Sequence, residues 1–175
     1  MAARDIEIHF SGTAVPGAKR FKVNADTTGG ARIKIGELVF KSLGNTAGLY
    51  VTQWTAAIGT GSAAKPSVGT DYIAGLAIST STETATASGT VDVLPNVPGM
   101  FYECAPNDST LWDTQAEYDA LVGARVKLNY AATTGKITVL ATDWLYNGAV
   151  VEPLNIFIHP NRVRFSLRQA LNYFA

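Results

Sequence analysis

Residues 72–106, YIAGLAISTSTETATASGTVDVLPNVPGMFYECAP, decide the fold class. Residues 72–78 are a short apolar run built on Gly75. Residues 79–89 are almost all Ser, Thr and Ala, a polar link. Residues 90–94 alternate, with Val91 and Val93 on one side and Asp92 on the other, which is the period of a strand. Val97-Pro98-Gly99-Met100 fits a type II turn: proline presets φ at the second position and glycine supplies the positive φ of the third. Residues 100–105 then resume extended structure. Strand, link, strand, turn, strand is a β-rich beginning, and it carries no catalytic chemistry.

The flanks extend that pattern. Ile6, Ile8 and Phe10 alternate with Glu7 and His9, and Phe21 and Val23 alternate across residues 20–24. Two loose joints, 11–18 and 25–31, separate these short strands from each other and from the rest of the chain. Such a segment holds little apolar surface to offset its ordering entropy, so residues 1–30 are expected to form an N-terminal arm and residues 31–175 the β-rich domain. Strands are expected over 33–43 and 49–54, then a Gly/Ala/Ser loop over 55–70. The one convincing helix spans 114–122: Thr114-x-x-Glu117 is a capping box and Gly123 stands at the C-terminal cap. Residues 125–130 and 136–140 form the clearest hairpin. Strands are expected over 149–154, 155–159 and 162–167, broken at Pro153 and Pro160. The sum is a small β-barrel or sandwich with one short helix and an extended arm. Its expected core is Leu38, Phe40, Ile73, Leu76, Val91, Val93, Val126, Leu128, Ile137 and Val139.

Composition narrows the function classes. A chain of 175 residues, 47% apolar and 16% charged, suits a folded domain. Net charge is zero, which argues against general nucleic-acid binding. The charge is unevenly placed: residues 1–41 carry +3, residues 42–161 carry −6 and residues 162–175 carry +3. Basic ends either lie against the acidic body or reach an acidic neighbour. No apolar run approaches the ~20 residues of a membrane span. MAARDIEIHF lacks the apolar core of a signal peptide, so synthesis in a cytoplasm is expected.

Catalytic patterns are missing. His9 and His159 have no ligand at metal-site spacing, and His159, before Pro160, reads as a surface or capping residue. The lone Cys104 reads as a small core side chain. Gly59-Thr60-Gly61 lacks the lysine that completes a phosphate loop. Asp108 and Asp113 do not make a calcium loop. Asp92 and Glu103 stand where a hairpin would pair two carboxylates, but we read them as solvated strand residues. Trp54, Trp112 and Trp144 suit core or subunit contacts, with a sugar platform as the alternative. No catalytic, cofactor or metal residue is assigned.

Three segments carry a resemblance: Gly36-Glu37-Leu38-Val39, Ala74-Gly75-Leu76-Ala77 and Gly89-Thr90-Val91-Asp92-Val93, set within residues 33–105. This run resembles the head-decoration, or cement, proteins of tailed bacteriophages. The resemblance implies a non-enzymatic protein on the virion capsid surface, made in the host cytoplasm. It would bind the major capsid protein, stiffen the shell and commonly form a homotrimer, with no nucleic acid, membrane or cofactor involved. The helix, the hairpin and the C-terminal tail lie outside the resemblance. The contact residues expected are Arg4, Ile6, Ile8, Phe10, Lys19, Arg20 and Lys22 of the arm and Leu171, Tyr173 and Phe174 of the tail. A small carbohydrate- or receptor-binding β-module of a virion is the alternative.

Overall fold

The computed structural model describes residues 7–10, 17–25, 33–41, 50–53, 73–106, 112–131, 136–140 and 149–167. Among the described residues the chain is mainly β with one short helix. Five strands close a barrel in the order β2 (Lys19–Val23), β4 (Tyr50–Gln53), β3 (Leu38–Lys41), β5 (Ile73–Ala77) and β6 (Gly89–Pro95). Pairing is antiparallel except for β2 on β4. The second sheet runs β1 (Glu7–Phe10), β7 (Met100–Cys104), β11 (Val163–Leu167), β10 (Ala149–Val151), β8 (Arg125–Ala131) and β9 (Lys136–Leu140). It curls back on itself, because a parallel bridge joins Pro106 to Val139. The edge of β7 is thus shared, with β1 along Met100 to Glu103 and β9 just beyond.

β3 and β5 form the wall between two cores. Val39, Ala74 and Ala77 join Phe21, Val23, Ile33, Val51, Val91 and Val93 in the smaller core. Leu38, Phe40, Ile73 and Leu76 pack instead with Tyr102, Phe165, Val126 and Leu128 in the larger one. That double duty explains why residues 73–77 are apolar without alternation: every one of them is buried. A register shift between Val39 and Phe40 moves the pairing from Gly75 to Ile73, as a bulge does. Among the described residues, nineteen buried side chains make up the larger core and nine the smaller, and each large one buried contributes about 1.5–3 kcal/mol.

Local signals behave as their chemistry predicts. Gly99 takes φ 83°, and the Met100 N–H donates to Val97 O at 3.2 Å, closing the expected turn. The capping box at Thr114 and Glu117 opens α1 (Gln115–Leu121), whose Tyr118 is buried. Of the ten expected core residues, nine are buried; the side chain of Ile137 lies outside the described residues. None of the described helices is long and apolar enough to cross a membrane.

Two expectations are corrected. Residues 1–30 do not stand apart as an arm where they are described. Lys19–Val23 is a barrel wall, paired with β6 along its whole length, and Phe21 and Val23 fill the barrel interior. The division at residue 30 therefore separates a strand from the barrel it closes. Residues 155–159 are not a strand: the N–H groups of Ile158 and His159 both donate to Asn155 O, at 3.2 and 3.1 Å, and wind the segment into a turn.

Candidate functional site

The most built-up surface feature is the segment between β10 and β11. It begins with a buried charge. Arg164 is the cross-strand neighbour of Glu103, and its Nε and Nη2 donate to one carboxylate oxygen, Oε1, at 2.9 and 2.7 Å. His159 Nδ1 lies 3.3 Å from the other oxygen, Oε2. Glu103 is fully buried, so its charge survives only with such partners. The reading of Glu103 as a solvated strand residue is corrected, and Asp92 does not pair with it. Sequence spacing hides the contact, since Glu103 and Arg164 are 61 residues apart.

Those same groups brace residues 153–159. Arg164 Nη1 donates to Pro153 O at 3.4 Å. Gln115 Nε2 donates to Leu154 O at 3.0 Å, while its Oε1 accepts from the Ile156 N–H at 3.0 Å. Asn155 Oδ1 accepts from the Phe157 N–H at 3.0 Å. The Tyr118 hydroxyl donates to Glu152 O at 2.9 Å and accepts from the Arg164 N–H at 3.0 Å, tying α1 to β11. Burial pushes the Tyr118 hydroxyl up to about 12. Leu154 and Ile156 turn inward, whereas Phe157 and Ile158 are 80% and 70% exposed. An open groove of about 610 Å³ runs beside them, bordered by Gln115, Asp119, Asn155, His159 and Arg164. The Asp119 carboxylate on this groove accepts from Gln115 Nε2 at 2.7 Å.

The chemistry of this arrangement is that of a fixed surface. Glu103 is buried, with Oε1 taking both Arg164 hydrogen bonds and Oε2 lying 3.3 Å from His159 Nδ1. Among the described residues, no group of three or more His, Cys, Asp or Glu is placed to hold a metal ion. Trp112 is buried edge-to-face against Tyr118, 5.8 Å between centroids, which removes it as a sugar platform. Trp54 and Trp144 lie outside the described residues. Cys104 is buried in the larger core, as expected of a small core side chain.

The expected contact residues that are described fall on both sheets. Ile8 pairs with Tyr102 and Phe10 with Met100 in the second sheet. Lys19, Arg20 and Lys22 sit exposed on the barrel. Arg20 Nε and Nη2 donate to Asp92 at 2.8 and 3.1 Å, a hydrogen-bonded pair that raises the Arg20 guanidinium and lowers the Asp92 carboxyl. Lys22 Nζ lies 5.8 Å from the Tyr50 ring centre. Arg4, Ile6, Leu171, Tyr173 and Phe174 lie outside the described residues. Sequence reasoning missed Phe157 and Ile158. The signal available was Pro153 and Pro160 bracketing a short segment, which favours a turn over a strand.

No protein-family model matches the chain, and neither does any curated protein or solved structure.

Proposed function

We propose that this chain is a structural protein of a tailed-bacteriophage head. It binds the outer face of the shell through the major capsid protein and stabilises it without catalysis, as a homotrimer. The observation that carries the reading is the placement of the three segments behind the resemblance. Gly36-Glu37-Leu38-Val39 leads into β3, Ala74-Gly75-Leu76-Ala77 lies in β5 and Gly89-Thr90-Val91-Asp92-Val93 lies in β6. β5 is hydrogen-bonded to both of the others, so the three segments form three consecutive strands of the barrel.

The test is co-sedimentation of the purified chain with empty phage heads, then heating of the decorated and bare heads. Saturable binding and a raised disruption temperature are expected. Heads that neither bind the chain nor gain resistance would refute the reading. Light scattering of the free chain checks the trimer separately.

A further inference from the structure

We infer that the chain docks through its Phe157–Ile158 turn, the two side chains entering an apolar cleft on a protein partner that presents a lysine or arginine to Asp119. This rests on the shell-binding reading above and names the surface that would carry it.

The exposed pair is the first argument. The other large apolar side chains exposed among the described residues, Ile35, Ile78 and Val122, are not adjacent in sequence. Single exposed hydrophobics are ordinary on a protein surface. Phe157 and Ile158 are adjacent, more exposed than any of these, and project from one turn. Burying them in a cleft would remove an unusual amount of apolar area from water for a two-residue contact.

The second argument is rigidity. Docking a loose loop loses conformational freedom, and that loss weakens binding. This turn has little to lose. Asn155 caps it from within, Gln115 holds Leu154 and Ile156, and Arg164 holds Pro153. Beneath it lies Glu103, a desolvated carboxylate that has to keep Arg164 and His159 close. The backbone that carries the apolar pair is thus held in place before any partner arrives.

Charge selects the partner. Arg164 is engaged by Glu103, while Asp119 on the groove receives only the neutral Gln115 amide among the described residues. The helix beside the groove carries Glu117 and Asp119 and has no basic residue in its last turn. A cleft that brings a cation to Asp119 complements this carboxylate. The branched, non-planar Ile158 next to Phe157 suits a protein cleft better than the face of a sugar ring.

Empty phage heads are the probe, titrated with wild type, with the double variant Phe157→Ala/Ile158→Ala, and with Asp119→Lys. Truncating two central anchors is expected to weaken binding by about 30-fold or more. Asp119→Lys is expected to weaken it about tenfold and to flatten its salt dependence. All the altered side chains are exposed, so circular dichroism and urea midpoints should match wild type and separate docking from folding. Binding by the double variant within about threefold of wild type would overturn the inference and leave the shell reading intact. Wild type that ignores heads would remove both. Wild-type binding on a glycan array that the double variant loses would overturn the inference too, by giving this surface to a saccharide.

Discussion

Gly75→Ala tests the wall on which both cores depend. Gly75 has φ 150° and lies in β5 between β3 and β6. A Cβ added there would stand 2.0 Å from Leu94 O, 2.8 Å from Leu94 C and 2.9 Å from Pro95 Cα. All three are backbone atoms of β6, so no side chain can swing away. The carbonyl would have to retreat from 2.0 Å to at least 3.4 Å to reach an ordinary contact. That shift disrupts neighbouring bonds such as Asn96 N–H to Ala74 O, now 3.2 Å. Leaving two buried backbone groups unsatisfied costs about 2–6 kcal/mol. The positive φ adds roughly 1–3 kcal/mol. A total of about 3–9 kcal/mol is a large part of the ~5–15 kcal/mol typical of a domain. Gly123→Ala supplies the control. Its φ is 79°, yet nothing lies within 4 Å of the added Cβ. It meets the left-handed backbone term alone, about 1–2 kcal/mol. Urea unfolding monitored by circular dichroism reads both. With a slope near ~2 kcal/mol per molar, Gly75→Ala should lower the midpoint by about 1.5 M or more, or leave the chain unfolded in water, and Gly123→Ala by at most about 1 M. Equal shifts for the two variants would refute the close approach of β5 to β6.

The same geometry carries three further expected outcomes. Glu103→Ala strands Arg164 beside an empty site and should lose about 3–5 kcal/mol of stability, whereas Asp92→Ala, on the exposed pair with Arg20, should leave the urea midpoint near wild type. Deleting residues 2–28 removes β1 and the barrel wall β2, so the truncated chain should lose cooperative unfolding by circular dichroism; a cooperatively folded product would restore the arm. Burial raises the hydroxyls of Tyr102 and Tyr118, the latter to about 12. The unfolded chain releases these protons first, near pH ~10, so their contribution is intact below that pH and falls above it. Stability should decline toward pH 12 by about 1.4 kcal/mol per pH unit for each tyrosine, and Tyr118→Phe should make the decline shallower in urea titrations at stepped pH.

The sequence by itself determined what depends on neighbours a few residues away. Val91 and Val93 alternate with Asp92 because a strand sends successive side chains to opposite faces, and β6 buries that face. The turn at Gly99, the capping box at Thr114 and the β8–β9 hairpin are equally local, and each appears where its residues place it. What covers a face is not local. Phe21 and Val23 alternate in the same way for an arm or for a barrel wall, and only the pairing with β6 and β4 makes them interior. Glu103 looks like any polar strand residue until Arg164 arrives from the other end of the chain and lets its charge be buried. Ile156 and Phe157 have the composition of a strand, yet Gln115 and Asn155 wind them into a turn that hides one and exposes the other. Periodicity fixes which side chains share a face; tertiary structure decides whether water, a core or a counter-charge meets it, because those partners come from distant segments.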